Sequence, residues 1–167
     1  LWLVESDYPD AKKDKKPPLS ISLWAQYVLD NYATVDDAVK ALEKEPFIVV
    51  SDMVPGDNRL TTLHLSISDS SGDSAIIEYI GGKQVIHHNR KYQVMTNSPT
   101  FDQQLALNTY WQQIGGTVML PGTNRASDRF ARASFYIDAI PKKASPEHSI
   151  ASVFGVIRNV SVPFGLN

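Results

Sequence analysis

The feature that most constrains this chain is a double change of hydrophobic period along its length. Apolar residues recur first at helical spacing, then alternate residue by residue, then return to helical spacing. In the first stretch Ile21, Trp24, Tyr27 and Val28 share one face of a helix expected over 21–32, with Ser20 as its cap. Thr34 followed by Asp37 is a capping box with Asp in the Glu position. It opens a second helix whose apolar face is Val35, Ala38, Val39 and Leu42, and which stops before Pro46. Leu63, Leu65 and Ile67 then alternate with His64, Ser66 and Ser68, the pattern of a half-buried strand. Ser70-Ser71-Gly72-Asp73 turns the chain into a strand over 75–80, and Gly81-Gly82 turns it again into one over 84–88. Segments 1–8, 47–50 and 92–96 also read as strands, and such close succession favours antiparallel hairpins.

After Pro99 the helical period resumes with Phe101, Leu105, Asn108 and Trp111 on one stripe, ended by Gly115-Gly116. Ser127 is a candidate cap for a helix running to about Ile140, with Phe130, Ala133 and Ile137 on one face. Ser145-Pro146-Glu147 is a clean helix start, and Ile150, Val153, Phe154 and Ile157 follow as its apolar stripe. Helices, then strands, then helices predict an α+β fold rather than a doubly wound one. The 167 residues suit one domain with its own core, and no internal boundary is evident.

Composition excludes several functions. Lys and Arg total 16 against 18 Asp and Glu, a net charge of -2, so there is no basic field for nucleic acid. The lysines of residues 12–16 read as a solvated loop split by Asp14. No apolar run approaches the roughly 18 residues that a membrane-spanning helix needs. Cysteine is absent, which removes disulfides, thiolate metal sites and a cysteine nucleophile from within this chain. His87 and His88 are adjacent in a strand and point to opposite faces, and His64 and His148 have no ligand-type neighbour at metal spacing. No metal site or cofactor is expected, and the histidines read as surface or partly buried structural residues. No glycine-rich phosphate loop and no Gly-x-Ser-x-Gly elbow occurs. A chain that opens on Leu1-Trp2-Leu3-Val4 reads as a piece of something longer.

Two segments carry the residues suited to chemistry. In Met95-Thr96-Asn97-Ser98-Pro99-Thr100-Phe101-Asp102 a strand ends on a carboxamide and a helix follows, a good place for an oxyanion donor. Capping of that helix is the alternative role for Asn97. In Leu120-Pro121-Gly122 and Ser127-Asp128-Arg129-Phe130-Ala131-Arg132-Ala133 two arginines sit near a helix start, against its dipole. Such a cation calls for an anionic partner, either a ligand or a neighbour such as Asp128.

Together with Ser68-Asp69-Ser70-Ser71-Gly72-Asp73-Ser74-Ala75-Ile76-Ile77-Glu78-Tyr79, these segments resemble the choloylglycine hydrolase and penicillin V acylase family. These are linear amide C–N hydrolases of the N-terminal-nucleophile superfamily, and the likeness holds over most of residues 60–135. The resemblance implies a four-layer αββα sandwich, with residues 1–167 forming a single partial domain. It implies an N-terminal cysteine nucleophile outside this chain, whose α-amine takes the thiol proton. On the same ground Asn97 matches the oxyanion-hole asparagine and Arg129 the active-site arginine. Trp2 falls where members place a second oxyanion contributor, Asn or Tyr, acting through its backbone N–H. The implied substrates are N-acyl amides: conjugated bile salts, phenoxymethylpenicillin or N-acyl homoserine lactones. The implied partners are that substrate and the missing N-terminal segment. The short stretch between the Asn97 helix and Leu120 resembles the Gram-negative branch, with a periplasmic or secreted location and an open question of homo-oligomerisation. The alternative reading is a catalytically inactive member that binds small molecules.

Overall fold

The computed structural model describes residues 1–13, 15–115 and 119–162, so Asp14 and the Gly116 helix stop lie outside the described residues. The chain forms two compact units, residues 1–100 and 101–167.

In the first unit, Pro18–Ser20 forms a short strand, β1, which runs directly into a 3₁₀ turn over Ile21–Leu23 and helix α1, Trp24–Asn31. The helix expected from residue 21 thus starts later, and Ser20 does not cap it; its hydroxyl bonds Ser22 instead. Helix α2, Val35–Leu42, begins as expected: the Thr34 hydroxyl accepts from the Asp37 N–H at 3.1 Å. Strand β2, Ile48–Val50, pairs with β1 in parallel, Pro18 opposite Ile48, with α1 and α2 as the crossover. This pairing departs from the all-hairpin expectation, because a connection long enough to hold two helices can return the chain in the same direction.

Strands β3 (Leu65–Ser68), β4 (Ser74–Ile80) and β5 (Lys83–His88) form the antiparallel meander, with Leu65 opposite Ile77 and Ile77 opposite Ile86. The β4–β5 turn uses Gly81 and Gly82 at φ 58° and 74°, left-handed values that a side chain would strain. Leu65, Ile67, Ala75, Ile77, Tyr79 and Ile86 face α1 and α2, where Trp24, Val28, Val39 and Leu42 complete the core. The sheet is tied to the helices by the Gln84 carboxamide donating to the Leu42 carbonyl at 2.8 Å. A second tie is the Asp69 carboxylate, which accepts from the Val35 N–H at 2.9 Å.

Two expected strands differ. Residues 1–8 contribute only a bridge, Trp2 opposite Leu63, before the chain turns at Val4 and Glu5. Residues 92–96 are not a strand; Tyr92 and Gln93 are held by turn bonds to the Asn89 and Lys91 carbonyls.

The second unit is three helices, α3 (Phe101–Gln113), α4 (Ala126–Ala139) and α5 (Pro146–Val160). Phe101 and Phe130 meet edge-on at 5.9 Å between α3 and α4. The buried residues of α3 are Phe101 and Gln104, so the face lies off the stripe expected through Leu105. Ser127 stands inside the first turn of α4, whose cap position is Arg125. Ser145 caps α5 as expected, accepting from the His148 N–H at 3.3 Å. The expected stripe of α5 is exposed, however: Ile150 is 58% and Phe154 55% accessible, and Val156 is the buried residue. Periodicity shows that a helix has an apolar face, not that the same chain covers it. The α+β class expected from the sequence is the one observed.

Candidate active site

Residues 1–3 lie antiparallel to residues 62–64. The Leu3 N–H donates to the Thr62 carbonyl at 3.1 Å, and the His64 N–H donates to the Leu1 carbonyl at 2.9 Å. Successive residues of an extended segment aim their backbone groups at opposite edges, so the Trp2 N–H and C=O point away from residues 62–64. On that outer edge the Asn97 Nδ2 donates to the Trp2 carbonyl at 3.0 Å. One residue on, the Ser98 hydroxyl accepts from the Val4 N–H at 3.0 Å. These two bonds lay the Asn97–Ser98 segment along residues 2–4 and hold the Asn97 Nδ2 at the Trp2 carbonyl. The Trp2 N–H shares this edge and makes no hydrogen bond among the described residues. The half-buried indole of Trp2 is covered by Arg59, whose guanidinium carbon stands 4.2 Å from the ring centroid.

Sequence reasoning named Asn97 and Trp2 separately, and the structure joins them by a hydrogen bond. Arg129 lies in the second unit, on the first turn of α4. Its Nε donates to the Asn124 carbonyl at 3.1 Å. Burial, and then the like charge of Arg132, lower its pKa from the ordinary arginine value. It stays charged at neutral pH all the same, as arginine does in proteins. The neighbouring Asp128 carboxylate accepts from the Thr123 N–H at 3.3 Å and the Thr123 hydroxyl at 2.6 Å, which shapes the loop ahead of α4.

Arg132, which sequence reasoning left without a role, is the buried arginine of the pair. Its Nη1 donates to the Pro121 carbonyl at 2.7 Å and the Thr123 carbonyl at 2.8 Å, and its Nε to Asn159 Oδ1 at 3.2 Å. It clamps the 121–124 loop that carries Arg129's own carbonyl partner. The only sequence signal was its place one turn after Arg129, which cannot tell a loop clamp from a ligand-facing cation.

A second missed feature corrects the reading of the histidines as surface or partly buried. His64 is 2% exposed and its Nδ1 lies 3.1 Å from Glu78 Oε1, while His87 Nε2 lies 3.4 Å from Glu78 Oε2. The antiparallel register puts position 64 opposite 78, so the alternation of His64 with Leu63 and Leu65 held the clue. His87 and His88 do diverge as expected, His88 Nε2 pairing with Asp73 at 2.8 Å. No group of three or more metal-ligating side chains is found among the described residues. Trp111 and Phe135 line a cavity of about 270 Å³ between α3 and α4 with Asn108 and Asp138. Phe101 is core, and Tyr110 is exposed.

A carboxamide and a backbone N–H on one strand edge are the types of donor that acyl transfer uses to hold an oxyanion. Solved structures similar to this chain are amide hydrolases of the N-terminal-nucleophile type. The penicillin V acylase of Agrobacterium tumefaciens is 70% identical with a TM-score of 0.87, covering 100% of this chain and 50% of that one. A point mutant of the conjugated bile acid hydrolase of Clostridium perfringens is 29% identical with a TM-score of 0.78, covering 99% of this chain and 56% of that one. Residues 2–167 match the model for linear amide C–N hydrolases, choloylglycine hydrolase family, and the chain belongs to that family. Among curated relatives, a penicillin V acylase of Pectobacterium atrosepticum is 64% identical over 99% of this chain and 47% of its own length. A bile salt hydrolase/transferase of Clostridium perfringens is 31% identical over 92% of this chain and 51% of its own length. The chain spans about half the length of the curated relatives it matches.

Proposed function

We propose that these residues supply the oxyanion hole of an amide hydrolase acting on N-acyl amides of the penicillin V or conjugated bile acid kind. The observation that carries this reading is the Asn97 Nδ2 bond to the Trp2 carbonyl at 3.0 Å, which sets a carboxamide beside the Trp2 N–H on one edge. A nucleophile outside the 167 residues, a cysteine thiolate with its own α-amine as base, attacks the acyl carbonyl carbon. The π electrons of the carbonyl move onto its oxygen. That oxygen takes one hydrogen bond from Asn97 Nδ2 and one from the Trp2 N–H, both pre-aligned at no cost during the reaction. Collapse of the tetrahedral intermediate expels the amine with a proton from the α-ammonium, and water then releases the acid. Arg129, which matches the family's active-site arginine, takes the role of favouring negative charge on the nucleophile.

The test is kcat/KM of the complete polypeptide on an N-acyl amide after Asn97→Ala. Loss of one oxyanion donor costs about 10²–10³ in rate. Turnover within a few-fold of the parent, with the fold intact, removes Asn97 from the chemistry.

A further inference from the structure

Glu78 is a fully buried residue of β4 that takes no part in the chemistry proposed for Asn97 and Trp2. It faces away from α1 and α2, because its neighbours Ile77 and Tyr79 face them. A carboxylate taken out of water is costly unless hydrogen-bond partners surround it. Here it lies between two imidazoles: His64 Nδ1 is 3.1 Å from Oε1, and His87 Nε2 is 3.4 Å from Oε2. A carboxyl group is a stronger acid than an imidazolium, and a carboxylate can only accept. His64 therefore carries its proton on Nδ1. Its Nε2 is buried with no hydrogen-bond partner among the described residues, so a second proton there would be stranded. The ring is held as the neutral Nδ1–H tautomer.

The pair stands where the backbone pairing of β3 with β4 has ended. That ladder runs from Ser68 opposite Ser74 to Leu65 opposite Ile77. Beyond it the Tyr8 hydroxyl takes both the N–H and the C=O of Leu63, each at 2.8 Å, and the Asp7 N–H donates to the Tyr79 carbonyl at 2.9 Å. Residues 7 and 8 thus occupy the backbone groups that would have joined Leu63 to Tyr79, and His64–Glu78 spans the gap side chain to side chain. The same stretch carries the candidate site. The His64 N–H donates to the Leu1 carbonyl at 2.9 Å and the Leu3 N–H to the Thr62 carbonyl at 3.1 Å, with Trp2 between them and its carbonyl on Asn97. We propose that Glu78 is a positioning residue for this edge, an inference that rests on the reading of Asn97 and Trp2 as oxyanion donors. By fixing the His64 ring it fixes the backbone of residues 62–64, and through that backbone the place of the Trp2 N–H and the Asn97 carboxamide. Fully buried, it touches no substrate itself.

The test is made in the complete polypeptide with an N-acyl amide. Glu78→Leu is expected to lower kcat roughly tenfold to 10²-fold, the cost of misplaced catalytic groups, with KM within about threefold of the parent. Glu78→Gln, whose Oε1 still accepts from His64 Nδ1, is expected to recover most of the loss. The double variant His64→Leu/Glu78→Leu leaves neither member of the pair unpaired, so it keeps the fold and is expected to show the same fall in kcat. Hydrogen exchange of the Leu3 and His64 amides reads the edge directly. It is expected to be at least about tenfold faster in Glu78→Leu and in the double variant, and close to the parent rate in Glu78→Gln. Parent kcat in the folded double variant overturns the proposal, and so does unchanged exchange of both amides. A merely structural pair predicts lower stability with kcat per folded molecule unchanged. If Asn97→Ala turns over normally, the oxyanion reading fails by itself; faster amide exchange in Glu78→Leu then still shows that Glu78 holds residues 1–3 in place.

Discussion

Replacing Arg132 by Met separates a clamp from a catalytic cation. Methionine keeps most of the buried aliphatic volume and removes three hydrogen bonds, to the carbonyls of Pro121 and Thr123 and to Asn159 Oδ1. Hydrogen bonds from a charged donor contribute about 1.5–3 kcal/mol each, and a buried carbonyl left unpaired adds its own desolvation cost. The bond to Pro121 is buried and counts fully, while those to Thr123 and Asn159 are partly solvated and count for less. The expected loss is about 4 kcal/mol. Equilibrium urea unfolding of the complete polypeptide, followed by tryptophan fluorescence, reads it as a lower midpoint. Arg132→Lys should recover part of the loss, because a single ammonium nitrogen can serve the two carbonyls that Nη1 serves but cannot also replace the Nε bond to Asn159. A change below about 1 kcal/mol for Arg132→Met would refute the clamp, because even one charge-assisted bond is worth more.

Arg129→Ala, by contrast, removes a bond to the exposed Asn124 carbonyl, and kcat is expected to fall roughly tenfold or more while the protein stays folded. A variant that simply unfolds would make Arg129 structural. Asp69 is held down at about 2 by the Ser71 hydroxyl and then the Val35 N–H. Its depressed pKa adds stability that is present above the unfolded carboxylate range and is lost as pH falls through the folded value. Asp69→Asn should therefore flatten the acid limb of a stability–pH curve below about pH 4 and leave its slope near neutrality unchanged. Thr34→Ala removes the cap of α2 and should cost about 1 kcal/mol in the same urea experiment, with Thr34→Ser recovering most of it.

What the sequence reveals depends on how locally each element is determined. The α2 cap and the Gly81-Gly82 turn are written in adjacent residues, and both form as read. The β3–β5 meander follows from alternation plus short turns. Strand β1 is three residues of a Pro-Leu-Ser stretch, too short to carry a period, and it exists because β2 lies beside it. The exposed stripe of α5 and the buried His64–Glu78 pair fail for the same reason: local pattern names a face but not what meets it. At the candidate site the residue types were legible. That the Asn97 side chain seeks a backbone carbonyl 95 positions away was not.

The most direct measurement is a structure of the complete polypeptide holding an uncleaved N-acyl amide. The carbonyl oxygen is expected within about 2.7–3.1 Å of both Asn97 Nδ2 and the Trp2 nitrogen. A carbonyl oxygen bound away from that strand edge, or an Asn97 carboxamide sealed from the substrate, would contradict the account.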